Sequence, residues 1–177
     1  LGTENPHAGS YTSYFNLVAS GLQEPASQHG DHYTTNRAYS TAAYSEGCIY
    51  LHQMKYLVGN DNFYKGYKRY YNTWKMKHPE PNDLLRIMEK VSGLQLHWYQ
   101  RYWIGTTKRI DYAIDSVQDN GNKTQITLRR IGEFPMPMDV LVTYKDGTQE
   151  LFYSSMNELL GNKPAEDTKA RTVLPAW

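Results

Sequence analysis

Up to Gly105 the apolar residues of this chain recur every three or four positions; beyond it they alternate. A period near 3.6 marks helices with one buried face, and a period of 2 marks strands with one buried face. The switch happens once. The order is therefore a helical unit first and a β unit second, which is an α+β arrangement and not an α/β sheet with interleaved helices. The boundary falls near Gly105 to Thr107, giving residues 1–106 and 107–177 as the two domains. A compact chain of 177 residues can bury roughly 70% of its unfolded surface.

Residues 1 to about 40 are rich in Gly, Ser, Thr, Asn and His and are expected to be largely irregular. One amphipathic piece interrupts them, with Tyr11, Tyr14, Phe15 and Val18 on one helical face and a stop at Gly21. From Thr41, the residues Cys48, Leu51, Met54 and Val58 mark a helix closed by Gly59. Asn60 or Asp61 caps the next helix. Its stripe of Phe63, Tyr67, Tyr70, Tyr71 and Trp74 is expected as core, with Lys65, Lys68, Arg69 and Lys75 mostly outside it. Pro79 and Pro81 break the chain. A third helix carries Leu84, Ile87, Met88 and Val91 and stops at Gly93; a short fourth one holds Leu96, Trp98, Tyr99, Tyr102 and Trp103.

In the second unit Ile110, Tyr112 and Ile114 alternate with polar partners, and Asp119-Asn-Gly-Asn forms a hairpin turn into Ile126 and Leu128. Val140, Val142 and Tyr144 lead into Lys145-Asp146-Gly147, read as a type I′ turn, with Leu151 and Tyr153 on the return. Residues 171–174 read as a last short strand. Four to five antiparallel strands of this kind pack as a small β-sandwich.

Charge excludes some classes of function. The balance is +1, which argues for neither nucleic acid nor an anionic membrane. No run of about eighteen apolar residues is present, so no membrane span is expected. Cys48 is the single cysteine; it is expected as a buried structural thiol, and it does not fix the compartment. A periplasmic or extracytoplasmic setting is slightly favoured. The first residues, Leu-Gly-Thr-Glu-Asn-Pro, read as the start of a fragment of something longer.

The usual catalytic constellations are missing from the sequence. It has no Gly-rich phosphate loop, no Cys-x-x-Cys, no Gly-x-Ser-x-Gly and no His-Glu-x-x-His. His29-Gly-Asp31-His32 is the one close histidine pair. With Asp31 between them they could in principle contribute two or three metal ligands, but the spacing lies in an expected loop with no further ligand in view, and a solvated loop is the better reading.

The informative segment is Asn36-Arg-Ala-Tyr39-Ser-Thr-Ala-Ala-Tyr44-Ser-Glu46-Gly47, followed by the apolar run to Gly59. It resembles the region of aminopeptidase N-type (gluzincin) zinc metallopeptidases in which a tyrosine precedes a short polar pair, a glycine and an apolar helix. The likeness continues in register through Phe63 to Trp74, Pro81 to Gly93 and Leu96 to Gly105. Four weak motifs in the right order and spacing make it fairly specific. One residue departs: the position before the glycine is usually Lys or Arg in the family, and here it is Glu46.

The resemblance implies the back half of a gluzincin catalytic domain followed by a β domain. It implies a hydrolase that removes N-terminal residues from peptides by attack of metal-activated water. The zinc ligands of the family lie upstream of its tyrosine, so zinc is expected in the full-length parent and none in this chain. Tyr44 takes the role of the catalytic tyrosine. The partners implied are the peptide substrate, through the full-length enzyme, and the missing N-terminal catalytic half. The isolated chain is expected to be inactive. A plainer reading makes Tyr44 a core tyrosine at a helix start. A different class of function also stands: a non-catalytic, peptidase-like module that binds a protein, peptide or glycan.

Overall fold

The computed structural model describes residues 5–154. They divide into two compact units, residues 5–107 and residues 108–154. Among the described residues the first unit holds only helices and the second only strands, so the protein is α+β, a helical part followed by a small β region.

The helical unit begins with α1, Ala8–Ala19. Tyr14 and Leu17 are its buried residues, whereas Phe15 is exposed. The inner face is therefore one step round the helix from the expected one. The stretch expected to be irregular is organised. Glu24 accepts hydrogen bonds from Gln28 Nε2 at 3.0 Å and Thr34 N at 2.9 Å, and Ser27 N donates to Ile104 O at 2.8 Å. A 3₁₀ turn, Gly30–His32, follows.

Helical structure resumes at Asn36, before Thr41. The segment runs as α2, Asn36–Ser40, a π turn, Thr41–Glu46, and α3, Gly47–Val58. The core-facing residues of α3 are Ile49, Tyr50, Gln53, Met54 and Val58; Leu51 is only half-buried. Gly59, at φ 80°, ends the run where only glycine is comfortable.

The next helix, α4 (Asn60–Trp74), corrects the sequence reading most. Gly66 is its buried residue; Tyr67 and Tyr71 are exposed, and Phe63, Tyr70 and Trp74 are half-buried. The aromatic stripe expected as core is not core. The reason lies in the contact with α5, Pro81–Ser92. A Cβ built on Gly66 would sit 2.6 Å from Met88 Sδ and 3.1 Å from Val91 Cγ2. The two helices meet through a glycine, and Tyr67 and Tyr71 lie off that seam in solvent.

Helix α5 follows the rules closely. Pro81 opens it, Glu80 N donates to Asp83 Oδ2 at 2.9 Å, and Gly93 at φ 74° closes it. Leu85, Ile87 and Met88 are buried. The last helix, α6 (His97–Gly105), buries Tyr99 and Trp103. The Tyr99 ring stacks on Tyr50 at 5.2 Å, and its hydroxyl donates to Tyr50 O.

The β unit has two antiparallel two-stranded sheets. Strand β1 (Tyr112–Asp119) pairs with β2 (Thr124–Arg130), and β3 (Met138–Thr143) pairs with β4 (Gln149–Ser154). A register shift between Ile114 and Ser116 disturbs the alternation, and Ile114 is exposed. The second hairpin does not use a type I′ turn. Gly147 N donates to Tyr144 O at 3.0 Å, and Gly147 alone takes positive φ, at 83°, while Lys145 and Asp146 do not. That is a type I turn followed by a left-handed glycine. Phe134 and Met136, just before β3, are buried, and Met136 N donates to Tyr112 Oη at 2.9 Å. The segment 171–174, read as a strand, lies outside the described residues.

Candidate active site

Tyr44 lies on the π turn. Thr35 starts the helical run by accepting a hydrogen bond from Ala38 N at 3.1 Å. The backbone then stays helical through the turn: Ser40 has φ −65° and ψ −39°, and Gly47 has φ −59° and ψ −40°. Gly47 is therefore no turn residue but part of a continuous helix. A π turn widens the helix locally, and such turns concentrate at functional sites. The Tyr44 side chain is 75% exposed, which removes the reading of a core tyrosine. Among the described residues its hydroxyl has no hydrogen-bond partner and is free to donate to a ligand.

Glu46 sits on the same turn but faces inward. It is 2% exposed, and its Oε2 finds no hydrogen-bond partner. Burial pushes its carboxyl up to about 8, because the interior disfavours the charged form. At neutral pH it holds a proton. A short uncharged acid thus stands where the family usually has Lys or Arg, and this is the local consequence of that departure.

The other tyrosines differ in kind. Tyr39 is exposed and packs edge-on against Tyr33, with centroids 5.5 Å apart. Tyr50 is buried with an unpartnered hydroxyl, and burial pushes its ionisation well up. Tyr50 therefore lacks the outward hydroxyl of Tyr44, and the Tyr39 ring is held against Tyr33.

Four of the six histidines form two groups. His29 and His32 face each other on the 3₁₀ turn at 5.4 Å, and His29 Nδ1 accepts from Asp31 N at 3.2 Å. Their positions are exposed. The second group was not foreseen. Cys48 is half-buried, not buried as expected, and its Sγ lies 3.3 Å from His7 Nδ1. The His7 and His52 rings are 4.4 Å apart, and Tyr11 Oη lies 3.4 Å from His52 Nδ1. Burial, and then the neighbouring His7 and Lys55, lower the His52 pKa. Burial raises that of Tyr11 to about 12, against the opposing hydrogen bond from Gln53. A shallow open hollow lined by Ser27, His97, Gln100, Arg101, Ile104 and Gly105 includes neither Tyr44 nor Glu46.

The helical run through Tyr44 and the three helices after it are the segments that carry the resemblance to a peptidase. More narrowly, the chain belongs to peptidase family M1: the Peptidase family M1 domain matches residues 7–103. Two relatives from Saccharomyces cerevisiae are similar to it. Over 95 residues, 54% of this chain, it is 27% identical to "Alanine/arginine aminopeptidase", of which the match covers 11%. It is likewise 27% identical over 95 residues to "Aminopeptidase 2, mitochondrial", covering 54% of this chain and 10% of that protein. The match thus spans about a tenth of the length of these relatives.

Two further features escaped sequence reasoning. The π turn depends on which carbonyl each amide reaches, and residue spacing does not record that. The burial of Glu46 had a signal, its charge reversal against the family pattern, but the direction of the side chain was not readable from it.

Proposed function

We propose that this chain is the tyrosine-bearing part of a zinc-dependent aminopeptidase, and that Tyr44 is its catalytic hydrogen-bond donor. Residues 1–106 then belong to the catalytic domain and residues 107–177 form the β domain that follows. The observation that carries the reading is the outward, unpartnered hydroxyl of Tyr44 on a π turn inside the family match. When water adds to a peptide carbonyl, negative charge grows on the carbonyl oxygen. A phenolic O–H held at the right point donates a hydrogen bond to that oxygen without needing to ionise. The helix on both sides of the turn fixes where the hydroxyl points.

Zinc belongs, in this reading, to the parent. Among the described residues no three His, Cys, Asp or Glu side chains come together to hold a metal ion, so these residues do not fit one. The isolated chain is accordingly proposed to be inactive, with the rest of the catalytic domain as its partner and a peptide as the parent's substrate.

In the complete peptidase, Tyr44→Phe is expected to lower kcat by about 10²–10³, with KM, metal content and melting temperature nearly unchanged. Tyr39→Phe and Tyr50→Phe should have much smaller kinetic effects. Near-normal turnover by Tyr44→Phe, or loss of activity through unfolding alone, would make Tyr44 a packing residue. For the isolated chain, an aminoacyl-anilide assay and metal analysis after dialysis complete the test. Stoichiometric zinc or measurable turnover there overturns the reading.

A further inference from the structure

We propose that the outer face of α4 is a docking surface for an acidic segment of a partner protein. Tyr64, Tyr67 and Tyr71 follow one another at spacings of three and four and form a single stripe along α4. They are 58%, 46% and 62% exposed. Single exposed aromatics are ordinary; a continuous row of them marks an interaction site.

The row is built to stay in place. Lys55 Nζ donates to Tyr64 Oη at 3.1 Å and lies 4.8 Å from the centre of that ring. The Tyr67 ring stacks on Phe63 at 6.0 Å. Rings already held in position lose little freedom on binding, and tyrosine offers a large contact area for few rotatable bonds.

Charge selects the partner. Lys65, Lys68 and Arg69 are exposed on α4, and Lys75 and Lys77 are exposed just beyond it. Asp61 is the one acid within the helix. None of these five cations enters an ion pair among the described residues. Lys68 and Lys75 lie on the same side of the helix as Tyr64 and Tyr71, so a carboxylate beside the rings meets an ammonium group. Tyrosine hydroxyls donate to carboxylates as well.

A polypeptide fits better than a nucleic acid. Phosphate backbones are recognised by a broad positive field, and this chain is nearly balanced at +1. The excess here is local, confined to one helix and interleaved with rings. Such a pattern suits carboxylates spaced among apolar side chains.

The full chain is titrated, at physiological ionic strength, into three fluorescein-labelled probes followed by polarisation. The probes are a peptide of alternating glutamate and leucine, its lysine counterpart, and single-stranded oligothymidylate. The acidic peptide is expected to bind saturably and the other two weakly or not at all. Lys68→Glu with Arg69→Glu should weaken binding by about tenfold or more, and so should Tyr67→Ala with Tyr71→Ala. Both pairs are read beside their melting curves; if a pair melts early, the single changes Lys68→Glu and Tyr71→Ala replace it with the same expectation. Absence of saturable binding overturns the proposal. So does unchanged binding by the tyrosine variants, which reduces the effect to plain charge attraction. Tighter binding of the oligonucleotide overturns it in favour of nucleic acid. Self-association that the tyrosine changes abolish and the acidic peptide fails to compete away overturns it in favour of a second copy of the chain.

Discussion

The helical run through Tyr44 and the helix that follows it are neighbours in sequence and opposites in how they treat their side chains. The run from Asn36 to Val58 draws even a carboxyl group, Glu46, out of water. Helix α4 leaves three tyrosines in water although it is the more aromatic of the two. Composition alone ranks the pair the wrong way round. What decides is the surface each helix meets. The first run packs against α1 on one side and shares ring contacts with α6 through Tyr50 and Tyr99. Helix α4 meets α5 at a glycine and α3 on another side, and the face carrying Tyr64, Tyr67 and Tyr71 is left to solvent.

Cutting into the buried core beside this pair should have the largest effect. Leu85 and Met88 are fully buried on α5. Leu85→Ala is expected to cost ~2–5 kcal/mol, measured by urea unfolding of the full chain. A loss below ~1 kcal/mol would mean that the site collapses around the deletion and that this part of the core is softer than its burial indicates.

The next effect comes from Glu46 and depends on pH. Its folded pKa, about 8, lies above the ordinary carboxyl value of 4.5. Between these two values the unfolded chain has released the proton and the folded chain still holds it. Stability from this group is therefore fully present below about 4.5, falls as pH rises towards 8, and levels off above it. The slope approaches ~1.4 kcal/mol per pH unit in the middle of that window. Glu46→Gln keeps the shape and removes the titration, so its stability should stay flatter across the window. Parallel pH profiles for the two proteins would show that Glu46 is ionised and paired in the fold.

The smallest effect is expected on the open side. Tyr67→Ala and Tyr71→Ala should each change stability by less than ~0.5 kcal/mol. The contrast with Leu85→Ala is the direct measure of the comparison. A loss of ~2 kcal/mol from either tyrosine change would return the stripe to the core role that its periodicity suggested.

Much of the architecture was legible in the residues. The single switch of period near Gly105 separates helices from strands, and Gly59 and Gly93 end their helices at positive φ, as their placement after apolar runs indicated. The order of motifs around Tyr44 was enough to point to the peptidase family. Other features were hidden for physical reasons. Tyrosine is amphipathic, so a stripe of it fits a core or a wet interface equally well, and Tyr67 and Tyr71 turned out wet. Phe134 and Met136 alternate with prolines in a segment without strand periodicity, yet they are buried. The Asp146-Gly147 pair permits more than one turn, and the backbone chose the one that needs positive φ only at the glycine.

The π turn also carries a record of chain length. A regular helix advances one turn in about 3.6 residues, and the wider turn accommodates one residue more. Thr41–Glu46 therefore reads as an α-helix into which a single residue has been threaded without breaking it. Everything before the turn is rotated by about 100° relative to everything after it. Shortening the segment by one residue would restore a seamless helix and swing α2 and its Thr35 cap out of step with α3. The extra residue thus works as an offset key that sets the rotational phase of α2 against α3, while Tyr44 and Glu46, two residues apart, face solvent and interior.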